Sequence, residues 1–366
     1  MNFNHRLIPF AALLVCAVHP AAAQSVVSDP LGFNTIVCPA NSDTIVGVPF
    51  RPNGSQQGTL SAVPTGTDHV SATLTLGGSP GFTADEFKDT HYVKFTSGAM
   101  DGHYYAITGN TADTLTVDLN GENVPGAAID DNVIIAQFWT LDSLFPPADA
   151  TTDPATTGHA IVASLGTLAF QRRTSVLLPD MTTTGINLAP NAIFYIHDAL
   201  WKKAGQGNTD FGATILYPDS YFIIRHPAAV TTDTNFKSSG EVESGNMTIP
   251  LSTQISEAQD NFIAIPRPVD VQLNELNLFE SGAFVASLGT LAFQRRDQLL
   301  VFDNAQQALN KAPSAIYFHD GTNWLKAGDG TNPHDTDVIN AGAGLIIRKY
   351  KTASGDTSMW QNTAGY

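Results

Sequence analysis

Short apolar or β-branched runs separated by turn-forming residues dominate the chain and predict strands rather than helices. Turn pairs such as Asp320-Gly321 and Pro218-Asp219 stand between these runs, where hairpins need them. No convincing helical pattern exceeds about ten residues, and the best candidate for a short helix is residues 303–311, with Asp303 as its N-cap. The pattern therefore predicts an all-β protein.

An internal repeat is the clearest signal in the chain. Residues 162–173 read VASLGTLAFQRR, and residues 285–296 read the same twelve letters. The offset of 123 persists downstream, where Trp201 matches Trp324 and the closing segment FIIR at 222–225 matches LIIR at 345–348. We interpret this pattern as a duplication.

The similarity also extends upstream, where residues 42–52 resemble residues 259–268 at an offset of about 216. In the second copy this segment leads almost directly into residues 273–279, which resemble residues 141–145, whereas roughly eighty extra residues intervene in the first copy. The predicted fold is therefore two duplicated units resembling β-sandwiches or barrels, with an inserted small antiparallel β module. The predicted boundaries are residues 24–51 plus 138–227 for copy A, 52–137 for the insert, 228–241 for a linker, 242–350 for copy B and 351–366 for a polar tail.

The N-terminus has the pattern of an export signal. His5 and Arg6 precede an apolar run at 7–18, and three alanines end at Ala23, so residues 1–23 are predicted to be a signal peptide cleaved after Ala23. A lipoprotein alternative would process the chain at Cys16, but Val15 occupies the preceding position, where a small residue is required. We expect the mature chain outside the cell, on its surface or in the periplasm.

Composition narrows the classes of partner. The formal net charge is −16, which disfavours unaided binding to nucleic acid or to an anionic membrane, and no transmembrane segment is expected in the mature chain. Cys38 would be the only cysteine after cleavage, so no intramolecular disulfide can form, and we interpret it as a small buried hydrophobe. No catalytic motif or metal-ligand spacing occurs, so no catalytic residue, metal or cofactor is predicted.

One set of segments comprises residues 29–33, 42–52, 92–119 and 139–141, and the closing segments that end at Arg225 and Arg348. Together these segments resemble a family of uncharacterised secreted proteins known mainly from Verrucomicrobia, where many paralogues occur. The resemblance covers most of the mature chain, and it implies export and a β-rich fold but no activity. The insert separately resembles small β modules of bacterial and phage surface proteins.

Two matched sets of residues are candidate ligand contacts. Trp201 and Trp324 follow equivalent turns, where an exposed indole could stack on a sugar ring, although core packing is the plainer interpretation. Arginine pairs suit carboxylate or sulfate groups of an anionic polysaccharide, although pairing with the protein's own acids is the plainer interpretation. The arginines concerned are Arg172, Arg173, Arg295 and Arg296.

The pairs His197-Asp198 and His319-Asp320 are the other candidates for chemistry. Neighbours on a strand point to opposite faces, so we expect structural roles, with Asp320 starting a turn. The leading hypothesis is an exported, non-catalytic structural or surface-interaction protein, whose partner is a second copy of itself or a polysaccharide. The alternative is a carbohydrate-binding protein, and a secreted hydrolase comes third.

Overall fold

A computed structural model describes residues 30–153 and 159–365, and it confirms the all-β class. Every strand pairing between named strands is antiparallel, and none of the sheets within these two ranges closes into a barrel. The single α-helix of the described residues is α1 (Leu141–Leu144), which Thr140 caps at its N-terminus. The predicted signal peptide lies outside the described residues.

The first copy begins with β1 (Leu31–Cys38), β2 (Asp43–Val46) and β3 (Phe50–Arg51). After the insert it continues with β11 to β17, and β14, β13, β12, β16 and β2 form a five-stranded sheet in that order. A second sheet has the order β1-β17-β3, and β11 pairs with β15. The later strands are β11 (Trp139–Thr140), β12 (Ser175–Leu178), β13 (Ala192–His197), β14 (Leu200–Lys203), β15 (Ile215–Leu216), β16 (Phe222–Arg225) and β17 (Thr234–Val242).

The insert is a seven-stranded sheet in the order β4-β10-β7-β8-β9-β6-β5, and all its strands lie inside the predicted range of 52–137. Alternate residues of these strands turn inwards, so that Leu74, Ile107 and Val117 share one buried apolar core. The strands are β4 (Gln56–Thr59), β5 (Thr65–Thr67), β6 (Ser71–Thr75), β7 (His91–Phe95), β8 (Tyr104–Asn110), β9 (Thr114–Asp118) and β10 (Asn132–Gln137).

The second copy contains a five-stranded sheet in the order β23-β22-β21-β25-β19, which corresponds strand by strand to that of the first copy. Two smaller pairs, β18 with β26 and β20 with β24, complete it. The strands are β18 (Met247–Leu251), β19 (Gln259–Ala264), β20 (Val271–Gln272), β21 (Gln298–Val301), β22 (Ala315–His319), β23 (Trp324–Lys326), β24 (Val338–Ile339), β25 (Gly344–Lys349) and β26 (Ser358–Asn362).

Equivalent ion pairs join the edge strand of each five-stranded sheet to its neighbour. Arg225 on β16 holds Asp43 on β2 through two hydrogen bonds of 2.7 and 2.6 Å. Arg348 on β25 holds Asp260 on β19 in the same way, at 2.7 and 3.0 Å. Both aspartates are buried, so each pair joins two strands far apart in sequence.

The loop after β12 of the first copy contacts β19 of the second copy, and the loop after β21 of the second copy contacts β2 of the first. Asp43 donates its backbone N–H to Ala308 at 2.8 Å, and Asp260 donates its own to Gly185 at 3.0 Å. Ala308 and Gly185 occupy equivalent places, 123 residues apart. The two units are therefore reciprocal in these contacts, and the duplication itself stays a prediction.

Three expectations from the sequence are wrong. Residues 303–311 form an irregular loop, in which Asn304 and Asn310 bond to Ile45 and Asp43 on β2 of the other copy. The predicted linker 228–241 contains most of β17, which pairs with all eight residues of β1. The predicted polar tail, residues 351–366, contains β26, whose Trp360 is fully buried. β17 follows β16 and β26 follows β25, which are the last strands of the two five-stranded sheets in chain order. We therefore assign β17 to the first copy and β26 to the second.

Candidate functional site

The repeated twelve-residue segment is an exposed loop in both copies, with a short 3-10 turn near its end. Its apolar side chains point largely into solvent, and the two phenylalanines, Phe170 and Phe293, are 80% and 82% exposed. The four leucines are each more than half exposed. We call the two sets knob A (Leu165, Leu168 and Phe170) and knob B (Leu288, Leu291 and Phe293).

Equivalent contacts hold the two loops in the same shape. Ser164 donates its N–H to the Ile196 carbonyl at 2.7 Å, and its side-chain oxygen accepts the N–H of Arg173 at 3.1 Å. Ser287 makes the same two contacts in copy B, at 2.7 and 3.0 Å. Gly166 lies so close to the Gln171 side chain that a Cβ atom would approach it to 2.2 Å. These contacts explain part of the sequence identity, but they do not explain the exposed leucines and phenylalanines.

Three of the four predicted arginines contact their surroundings through their guanidinium groups. Arg172 lies over the Tyr195 ring at 4.7 Å and Arg295 over the Phe318 ring at 5.1 Å. Each also donates to a carbonyl of its own loop, Thr167 or Thr290. Arg173 donates to the carbonyl of Ala229.

Pairing of these arginines with the protein's own acids, the plainer interpretation of their role, is wrong for the described residues. Within 30–153 and 159–365 none of the four guanidinium groups, including that of Arg296, lies in an ion pair. Their role as contacts for an anionic ligand stays a prediction.

The two matched tryptophans are core residues. Trp201 is fully buried beside Phe145, and Trp324 packs against Phe284 and the ring of His319. Since neither indole presents a face to solvent, the plainer interpretation, core packing, is confirmed, and the predicted role as exposed sugar contacts is wrong. Each tryptophan fills part of the apolar interior of its own copy.

The two tryptophans differ in one contact, which gives a prediction. The indole N–H of Trp201 donates to the Phe145 carbonyl at 3.1 Å, whereas that of Trp324 has no hydrogen-bond partner in the described part of the chain. Trp201→Phe is therefore expected to cost about 1–2 kcal/mol more free energy of unfolding than Trp324→Phe, because it also orphans a buried carbonyl. Denaturant unfolding of both variants measures the difference, and equal losses would contradict the assigned hydrogen bond.

The histidine-aspartate pairs are closer than strand geometry predicts in one copy. His197 ends β13 and Asp198 has a positive φ of 53°, so the chain turns and the two side chains lie 3.3 Å apart. In copy B, His319 is buried and stacks on the ring of Phe279. Asp320 accepts the N–H groups of the next turn, as expected of a turn starter.

Other features of the described residues offer little chemistry. Cys38 is buried, and burial raises the pKa of its thiol to about 11, which fits a small core residue. Within the two described ranges no three His, Cys, Asp or Glu side chains are grouped to hold a metal ion, and no helix is long and apolar enough to cross a membrane. Comparison with known protein families and with curated proteins gives no match to this chain. A function must therefore be argued from the surface, where the knobs are the most distinctive feature.

Proposed function

We propose that the protein is an exported, non-catalytic structural protein that assembles with copies of itself through knobs A and B. One observation carries this proposal: the only long segment identical in both copies exposes the same three large apolar side chains in each. Scattered exposed apolar residues are ordinary on protein surfaces, but a repeated cluster on a braced loop indicates a contact surface. Export rests on the N-terminal signal pattern.

The bracing favours binding. A loop already held in one shape loses little conformational freedom when it meets a partner. The backbone bonds of Ser164 and Ser287, together with the arginines stacked over Tyr195 and Phe318, supply that rigidity. Phe170 and Phe293 then serve as the central anchors, since large aromatic side chains contribute most to such contacts.

Two equivalent knobs make each chain bivalent. A chain that contacts a second chain through one knob still exposes the other, so the assembly stays open and grows in one dimension. Burial of one large apolar side chain contributes roughly 1.5–3 kcal/mol, while association itself costs on the order of 4–15 kcal/mol. A single knob-to-knob contact is therefore weak, and assembly depends steeply on concentration.

Sedimentation velocity of the mature chain between about 10 µM and about 1 mM tests the proposal. We expect the unaltered chain to form species that grow with concentration. Phe170→Ser leaves one knob and should stop growth at dimers, and Phe170→Ser with Phe293→Ser should leave monomers. Val63→Ser is the matched control, because Val63 is an apolar insert residue of similar exposure to the knob leucines, outside the repeat.

Two outcomes would refute self-assembly through the knobs. One is an unaltered chain that stays monomeric over the whole concentration range. The other is growth that survives the double substitution. Electron microscopy of the concentrated sample adds a direct view of whether the assemblies are linear. Cell fractionation tests export separately, since a cytoplasmic, unprocessed chain would contradict it.

A further inference from the structure

A cleft lies where the insert and the two copies meet. Its volume is about 430 Å³, within the range of roughly 300–1,000 Å³ typical of ligand pockets. The insert contributes residues of β8 and of the β9 end, copy A contributes residues that follow β12 and β15, and copy B contributes β18 and β19. We call it the junction cleft.

Contacts between the three units fix the shape of the junction cleft. Thr248 of β18 donates its N–H to the carbonyl of Gly102 in the insert at 3.0 Å. Asn246 donates to the carboxylate of Asp101 in the same insert turn at 2.6 Å. The walls are therefore held in place without a ligand, as expected of a preformed site.

Tyrosines supply the aromatic part of the wall. Tyr104, Tyr105 and Tyr217 line the cleft, and Tyr217 is 49% exposed. The Tyr217 ring rests edge-on against Phe138, with ring centroids 5.6 Å apart, so it is supported from behind while open in front. A supported tyrosine offers an apolar face together with a hydroxyl group, the combination that suits the face and the hydroxyls of a sugar ring.

The polar lining of the cleft includes five carboxylates. Asp118, Asp219 and Glu122 line it, and no lysine or arginine lies among the described residues of its wall. Glu122 accepts the hydroxyl of Tyr105 at 2.8 Å, which orients both groups. Burial raises the pKa of the Asp219 carboxyl, and a hydrogen bond from Tyr104 partly offsets that rise. Such a wall accepts hydrogen bonds from hydroxyl groups and repels carboxylate or sulfate groups.

We propose that the junction cleft binds neutral oligosaccharides, with Tyr217 stacking on a sugar ring and Asp118 and Asp219 accepting hydrogen bonds from its hydroxyls. This site is separate from the knobs and does not depend on self-assembly. Its proposed ligand is neutral, unlike the anionic ligand predicted for the arginines, because the cleft wall carries acids in place of cations.

Isothermal titration calorimetry of the mature chain tests this site. The probes are neutral hexasaccharides, namely maltohexaose, cellohexaose, xylohexaose and chitohexaose, and hexagalacturonate is the charged counterpart. We expect at least one neutral probe to bind with a Kd between about 1 µM and about 1 mM, and hexagalacturonate not to bind. Tyr217→Ala and Asp219→Asn should each weaken that binding at least about tenfold.

Tyr350→Ala is the matched control, because Tyr350 is a similarly exposed tyrosine outside the cleft, and it should leave affinity unchanged. A thermal melt of each variant separates loss of the fold from loss of the site. The proposal fails if no neutral probe binds at millimolar concentration, if only hexagalacturonate binds, or if folded Tyr217→Ala binds like the unaltered chain. Sedimentation of Tyr217→Ala should match that of the unaltered chain, so failure of the cleft and failure of the knobs remain distinguishable.

Discussion

Asp297→Thr is expected to lower the free energy of unfolding by about 3–5 kcal/mol, and a second change, Lys349→His, should restore most of it. Asp297 and Lys349 are both buried, and the Lys349 ammonium contacts the Asp297 carboxylate and the carbonyl of Ala283. Removing the carboxylate alone leaves a buried ammonium without its counter-charge. Such an uncompensated charge is among the most destabilising changes in a protein interior.

The first copy shows why the second change compensates. Thr174 and His226 occupy the equivalent positions there, and their side chains lie 2.9 Å apart. Thr174 accepts the N–H of Val162 at 3.0 Å, just as Asp297 accepts that of Val285 at 2.8 Å. Burial lowers the pKa of His226 to about 4, so this pair is neutral at pH 7. The double variant replaces a charged pair by a neutral pair that the same fold already accommodates.

Guanidinium unfolding followed by circular dichroism measures the free energy of unfolding of both variants. Glu257→Gln is the control, because Glu257 is exposed. If the double variant is no more stable than Asp297→Thr, the two positions are not equivalent. The double variant should also gain a dependence on acid. A buried histidine has a lower pKa in the folded protein than its pKa of about 6.5 in the unfolded chain. Protonation therefore favours the unfolded chain, and the fold loses stability as the pH falls from about 6.5 towards 4.

The class of fold followed from the sequence because most strands are short apolar runs whose side chains form the cores, as in β16 and β25. β17 was missed because its residues, TNFKSSGEV, are mostly polar, and its pairing with β1 decides its conformation. The loop at 303–311 was mistaken for a helix because its partners lie on β2, more than 250 residues away. Pairing between segments that are distant in the chain leaves no pattern in the short stretch of sequence from which a helix or strand is predicted.

Side-chain exposure was the other quantity that local patterns could not supply. The leucines and phenylalanines of the repeat have the composition of a core segment, yet they form the knobs. Conversely, the positions of Trp201 and Trp324 after turns allowed either an exposed indole or a core residue, and both side chains are buried. The one signal in the sequence that set this segment apart was the identity of its twelve residues in the two copies. The junction cleft had no such signal, because three separate segments build it.

Glu243→Gln is expected to loosen the insert from the rest of the protein and to lower the free energy of unfolding by about 3–5 kcal/mol. Lys94 on β7 of the insert is almost fully buried, and its ammonium contacts the Glu243 carboxylate just beyond β17, as well as the carbonyl of Asn246 at 3.1 Å. Arg51 also lies near, at 3.5 Å from Glu243 and 3.3 Å from Glu241. Burial lowers the pKa of Lys94 and the Glu243 charge opposes that shift, so its removal favours loss of the Lys94 proton.

Adding Lys94→Met to Glu243→Gln should recover much of the loss, because the orphaned cation disappears while Arg51 keeps Glu241. Guanidinium unfolding measures the stability, and limited proteolysis reports whether cleavage concentrates in residues 52–137. A loss no greater than that of Glu257→Gln would contradict the buried ion cluster.

Glu243 does not line the junction cleft, yet a loosened insert should displace the part of the cleft wall that Tyr104 and Tyr105 form. Glu243→Gln should therefore also weaken binding of a neutral hexasaccharide, and the double variant should restore it.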